Sequence, residues 1–212
     1  MDNFVITIAR QYGSGGRTIG EELAKKLGIS YYDKDIIRMA SEESGIHEQL
    51  FGRADENVST KQRFFAKSGI YKGELIPPQS KDFTSDENLF NYQAKIIRQL
   101  AETESCVIIG RSADYILKDS DKINLLRAFI YAPDDVRIHN IMESHNLTEK
   151  DARILLLEKD KRYHKRHLAL TGSNRGDRHN RNILIDSSYL GIEGTADYIE
   201  ELVRRKFGSG EE

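Results

Sequence analysis

Apolar residues in this chain gather into short continuous runs separated by longer stretches of helical spacing. Phe4 to Ile8 is the first β-rich run, and a glycine cluster follows it. Ile19, Leu23 and Leu27 then recur on one helical face, predicting a helix from about Thr18 to Lys26 that Gly28 stops. Ile29 to Tyr32 reads as a second strand, with a helix through Ile36, Ile37 and Met39 behind it. Leu89, Phe90, Ile96, Ile97 and Leu100 form the face of a helix over Asp86 to Thr103. Ser105 to Ile109 and Leu125 to Tyr131 are further strands; the second closes at Ala132-Pro133, with the proline placed to open a helix. Thr148-Glu149-Lys150-Asp151 has the form of a capping box at the head of a long helix. Ile183 to Ile185 is the last strand, and Thr195 to Phe207 is an amphipathic terminal helix ending at Gly208.

Strands alternating with helices predict a parallel sheet covered on both faces. The exception is the stretch from residue 44 to 85, where Pro77-Pro78, scattered glycines and weak periodicity predict an insertion of short helices and loops, poorly ordered in places. At 212 residues the chain is long enough for one well-buried core. With 38% hydrophobic and 31% charged residues, a soluble globular protein is expected. A formal net charge of −2 argues against general nucleic-acid binding, so any anion site must arise from local clustering. The single cysteine, Cys106, allows no internal disulfide and sits in an apolar strand, as a core residue would. No apolar run approaches the roughly 20 residues of a membrane helix, and the strand-like run at the start leaves no room for a signal peptide. A cytoplasmic protein is expected.

The glycine cluster is the first chemical signal. Gln11 to Thr18 follows the phosphate-loop pattern G-x-x-x-x-G-K-[ST] in its second half: Gly16, the cation Arg17, the hydroxyl of Thr18. Glutamine replaces the first glycine, and arginine the lysine. Glycines let successive N–H groups converge on a phosphate at a helix N-terminus, where the dipole favours an anion. The candidate donor-phosphate site is therefore Gly13, Ser14, Gly15, Gly16, Arg17 and Thr18, with Thr18 as the Mg²⁺ ligand. Two other readings fit the same residues: a plain strand-to-helix turn, or the Gly13-x-Gly15 start of a dinucleotide fingerprint with Asp33 as its acid. In the second, Thr18 falls where a third glycine belongs.

A second signal lies between Lys159 and Arg181, where eight lysines and arginines stand against two acids. Arg162 and Arg166, at i and i+4, share one helix face from which two guanidiniums could reach the same phosphates. Gly172 and Gly176 suggest the turn of a closing lid. A solvated basic face, or an RNA-contacting patch built on Tyr163, His164, His167 and His179, would draw on the same residues. The histidines show no metal-ligand spacing.

These motifs in this order, ITIARQYGSGGRTIGEELAKKLGISYYDKD, VIIGR, EKDKRYHKR and LLIDSSYLGIE, resemble the cytidylate kinase-like branch of the nucleoside monophosphate kinases. The resemblance leaves out residues 44–85. It implies a three-layer P-loop α/β fold with five parallel strands and helices on both faces. The core would be 1–32, 103–158 and 182–208, the acceptor-binding insertion 33–102 and the lid 159–181. It implies ATP-dependent phosphoryl transfer with Mg²⁺ to a nucleoside monophosphate, CMP or dCMP first; from charge and hydropathy, no nucleic-acid or membrane partner is expected.

Asp33 matches the family aspartate in the acceptor-holding segment. Arg38 lies near the family's acceptor-phosphate arginine, with a one-residue uncertainty in register. Arg111 matches the arginine of an Asp-Gly-Arg-Asp motif whose acids are replaced by Ile109 and Ser112. Arg162 and Arg166 coincide with lid arginines, and Asp186 with a structural aspartate. By this resemblance Arg17, Arg162 and Arg166 are the catalytic candidates. The departures keep two alternatives open: a nucleotide-binding regulator without catalysis, and a kinase for another small acceptor.

Overall fold

The central strand, β1 (Phe4–Arg10), is buried on both faces by its own side chains' alternation. Phe4, Ile6 and Ile8 point to one layer of core and Val5 to the other. The computed structural model describes residues 3–56 and 74–208. Around β1 stand β2 (Ser30–Tyr32), β3 (Cys106–Ile109), β4 (Asn124–Tyr131) and β5 (Ile183–Asp186), all parallel, in the order β2-β3-β1-β4-β5. The register sets Ile8 beside Ile109 and Arg10 beside Ile130, so three strand ends meet at one edge.

One face is covered by α1 (Gly16–Leu27) and by α8 (Ser187–Phe207). Ile19 and Leu23 of α1 pack with Ala196, Ile199 and Val203 of α8 over Ile6, Ile8 and Val107. The other face is covered by α2 (Asp35–Ser44), α3 (Glu48–Glu56) and α4 (Asp86–Thr103), which lay Ile36, Phe51, Leu89 and Ile97 against Val5, Cys106 and Ile108. Each such fully buried side chain contributes roughly 1.5–3 kcal/mol. Burial also pushes the Cys106 thiol up to about 12, consistent with an inert core residue. Alongside the sheet, α6 (Asp134–His145) and α7 (Glu149–Thr171) form a hairpin closed by Ile138, Ile141, Ala152 and Leu156. A short α5 (Ala113–Ile116) follows β3.

Local chemistry sets the ends. Thr148 caps α7, its hydroxyl accepting from the Asp151 N–H at 3.2 Å and donating to the Asp151 carboxylate at 2.7 Å. Ser85 caps α4 through the Asn88 N–H. Pro133 stands just before α6.

The structure departs from the sequence expectation at one helix start. The terminal helix starts at Ser187 rather than Thr195, with a break at Gly191 (φ 70°, ψ −174°); the apolar face that carried the periodicity begins only beyond that break. The stretch expected as a lid begins inside α7, which runs unbroken to Thr171. Of the insertion, residues 48–56 are helical and 77–85 are mostly turns, while 57–73 lie outside the described residues. Among the described residues no helix is long and apolar enough to cross a membrane.

Candidate phosphate-transfer site

The site grows from the end of β1. After Arg10 the chain turns through Gln11 to Gly15 and enters α1. Gly13 and Gly15 take left-handed φ of 79° and 75°, which turns the loop back over the helix start. Gly15 caps α1 with no side-chain hydrogen bond, and no acidic residue lies in the first turn. The first-turn N–H groups of α1 thus face outward with neither cap nor counter-charge.

The loop is held from outside. The Gln11 side chain, which stands where the pattern has a glycine, accepts from the Ala132 N–H at 3.2 Å and ties the loop to the end of β4. The Ser14 hydroxyl donates to the Gln11 carbonyl at 3.0 Å, and the Ser187 hydroxyl donates to the Ser14 carbonyl at 2.7 Å. Asn140 donates to the Gly13 carbonyl at 2.8 Å. Arg137, 2% exposed, donates to the Tyr12 carbonyl at 2.8 Å and pairs with Asp134 at 3.0 Å and Asp160 at 2.5 Å. Inward carbonyls are thereby satisfied by protein, and the N–H groups of Gln11, Tyr12 and Ser14 are engaged as well, which leaves those of Gly13, Gly15 and Gly16 for a ligand.

Cations surround the loop. Arg17 pairs with Asp33 at 2.7 Å, its own side chain 52% exposed. Arg111 donates to the Asp33 carbonyl at 2.8 Å and to the Gln93 side-chain carbonyl at 3.1 Å. Gly110, Arg111 and Ser112 take successive left-handed φ of 66°, 52° and 53°, an uncommon run for non-glycine residues. This turn aims Arg111 back at Asp33. Arg10 lies half-buried among Asp33, Tyr163, Arg17 and Arg111, and desolvation lowers its pKa. Arg175 donates to the Arg10 carbonyl, lies 5.1 Å from the Tyr163 ring and is depressed to about 10, first by burial and then by Arg10. Arg162 lies 5.5 Å from the same ring, with a buried Nε that has no hydrogen-bond partner among the described residues.

Arg17, Asp33, Arg111 and Arg162 therefore gather at the loop. Arg166 reaches across to the Ala54 carbonyl in α3. Arg38 does not join them: it pairs with Glu42 at 2.8 Å on the exposed side of α2. Arg10 and Arg137 carry no motif in the sequence, and Arg175 stood only as one of the eight cations between Lys159 and Arg181; the fold brings Arg175 to the Arg10 carbonyl and Arg137 under Tyr12. Behind Arg111, His167 links the Ser112 and Ser173 hydroxyls at 3.2 and 3.3 Å. Burial pushes its imidazole down to about 4, against the opposing pull of Asp114. Asp114 pairs with Arg181, both almost fully buried.

Thr18 stands exposed in the first turn of α1. Among the described residues no group of three or more histidine, cysteine or carboxylate side chains could cage a metal. A hydroxyl at that place fits Mg²⁺, which takes one or two protein ligands and draws the rest from phosphate and water.

A five-stranded parallel sheet with a glycine loop at the end of its central strand, leading into a helix, defines a P-loop kinase-like protein. A model of the cytidylate kinase-like family matches residues 5–189, and the chain belongs to that family. Among its relatives, a cytidylate kinase from Thermococcus kodakarensis is 23% identical over 210 residues, covering 98% of this chain and 91% of that one. One from Pyrococcus abyssi is 25% identical over 193 residues, with 90% and 88% covered. The fold is shared with an uncharacterized protein from Eubacterium ventriosum (TM-score 0.66, 24% identity, 95% and 98% covered). It is shared more distantly with a shikimate kinase from Bacteroides thetaiotaomicron (TM-score 0.50, 14% identity, 95% and 98% covered).

Proposed function

We propose that this protein transfers a phosphoryl group from ATP to a nucleoside monophosphate, with CMP or dCMP as the first acceptors to try. The observation that carries the reading is the start of α1, uncapped and without an acid in its first turn, under a ring of arginines. Backbone N–H groups of the loop would hold the donor phosphates, with Mg²⁺ on Thr18 neutralising charge between them. Arg111, fixed by the Asp33 carbonyl and Gln93, would meet the acceptor phosphate. An oxygen of that phosphate attacks the terminal phosphorus of ATP, the bond to the bridging oxygen breaks, and ADP leaves. The attacking oxygen is already anionic, so the step needs no general base. Relatives that bear the name cytidylate kinase at 23–25% identity support the choice of acceptor class.

The test is ADP release coupled to a reporter over a panel of nucleoside monophosphates, with and without EDTA. Turnover with one or more acceptors, abolished by EDTA, is expected. Mg·ATP should also raise the melting temperature where NADPH does not. If Mg·ATP binds and no acceptor turns over, the protein is a nucleotide-binding regulator. The engagement of Asp114 by Arg181, which takes up the only acid near Arg111 in sequence, favours that second reading.

Within the active reading the two acceptor candidates should separate. A charge-assisted hydrogen bond is worth roughly 1.5–3 kcal/mol, so Arg111→Ala should raise the acceptor KM about tenfold to a hundredfold and leave ATP affinity nearly unchanged. Arg38→Ala, which removes an exposed pair with Glu42, should change it less than about threefold. An unchanged acceptor KM in Arg111→Ala would remove Arg111 from the acceptor site.

A further inference from the structure

We infer that Arg10, rather than Arg17, is the arginine of the phosphate loop that contacts bound phosphate. The inference rests on the phosphoryl-transfer reading of the site. In the sequence Arg17 takes the place of the motif lysine, yet its guanidinium is spent on Asp33 at 2.7 Å, with half of the side chain in solvent. Gly15, not Gly16, is the last left-handed residue of the loop, and Gly16 is already the first residue of α1.

No side chain can stand at position 16, because Arg10 fills the space. A Cβ there would lie 2.7 Å from the Arg10 Cβ and 3.1 Å from its Cγ. At the far end, a Cβ on Gly110 would collide with the Arg10 guanidinium. Glycines at two separate positions, one opening α1 and one ending β3, thus clear a channel along which the Arg10 side chain runs from the loop toward Arg111.

What the channel delivers is an uncommitted cation. Among the described residues no hydrogen bond or ion pair engages the Arg10 guanidinium, although Asp33, Tyr163, Arg17 and Arg111 surround it. Its main chain, by contrast, is pinned. Its carbonyl accepts from Arg175, and the Gln11 N–H beside it donates to the Ile130 carbonyl at 3.0 Å. A guanidinium with open donors, on a fixed main chain between an uncapped helix start and a second arginine, is arranged for an anion with more than one charged oxygen. The burial that depresses its pKa shows the cost of leaving it without a counter-anion. A bound phosphate would relieve that cost.

The experiment is calorimetric titration of the wild type and the variants Arg10→Gln, Arg10→Lys and Arg17→Gln, with Mg·ATP and, separately, with inorganic pyrophosphate. Arg10→Gln should weaken both ligands at least thirtyfold, Arg10→Lys by no more than tenfold, and Arg17→Gln by less than threefold. Wild-type affinity in Arg10→Gln, or an equal loss in Arg17→Gln, overturns the inference and leaves Arg10 a structural filler. Should Arg10→Gln fail to fold, Arg10→Lys against Arg17→Lys decides. The Arg10 exchange alone should loosen Mg·ATP, by about threefold to tenfold, and equal affinities overturn the inference. If the wild type binds pyrophosphate in an Arg10-dependent way but not Mg·ATP, the kinase reading falls and the role of Arg10 stands. Binding of neither ligand removes both.

Discussion

Arg162→Ala is expected to lower kcat by about a hundredfold to a thousandfold while the affinity for ATP changes little. Removing one preorganised donor from a charge-stabilising site costs on that order, and an arginine supplied to a transferring phosphoryl group is worth still more. Arg162 has the geometry for this work. Its guanidinium lies against Tyr163, close enough to the phosphate loop to pull the Tyr12 phenol down against the larger upward push of burial. Its buried Nε has no acceptor among the described residues. A buried donor without a partner is uncommon and calls for an explanation; in the proposed reaction a phosphate in transit would supply the missing acceptor. Arg166, one turn on, is already engaged by the Ala54 carbonyl, so Arg166→Ala should cost kcat less and disturb the seating of α3 instead. Steady-state kinetics with the best acceptor of the panel separates the two. A kcat within fivefold of wild type in Arg162→Ala would take it out of the transfer step.

The second large effect falls on stability. Asp114→Ala is expected to destabilise the protein by about 3–5 kcal/mol, because removing one partner of a buried ion pair strands the other's charge. Side chains of Asp114 and Arg181 are 5% and 1% exposed. Arg181 has little else to fall back on: it donates to the Asn180 and Arg175 carbonyls at 2.9 and 3.1 Å, lies 5.6 Å from the Phe129 ring, and its Nε is unpaired among the described residues. Replacing both partners, Asp114→Leu with Arg181→Met, should recover much of the loss, since an apolar pair leaves no charge to desolvate. Urea unfolding gives both numbers. A loss below about 1 kcal/mol in the single variant would mean that water reaches Arg181.

The layered fold was legible because buried parallel strands announce themselves as continuous apolar runs. Val5 to Ile8 and Cys106 to Ile109 admit no other reading once helices of opposite spacing flank them. The long α7 was legible at its start, where Thr148 and Asp151 cap it, and again at Arg162 and Arg166, whose i and i+4 spacing keeps one helix face. The site was legible only where it follows chain order, at Gly13 to Thr18. Arg10 gave no signal, because one arginine at a strand end has no spacing to compare with. Arg137 gave none either, since nothing in a run of α6 residues marks the one that turns under a distant loop. Gln11 looked like a defect in the motif, and its side chain proves to hold Ala132 at the end of the neighbouring strand β4.

Asp160 takes part in two structures at once. It sits on α7 among the residues of the expected lid, yet it accepts from buried Arg137 and from the Tyr12 N–H of the phosphate loop at 3.4 Å. Farther along, Arg175 is fastened to the end of β1 and Arg181 to α5. These contacts tie the segment to the phosphate loop, to β1 and to α5. Arg175 and Arg181 are set in place when the protein folds, so the entropy of ordering them is spent before any ligand arrives.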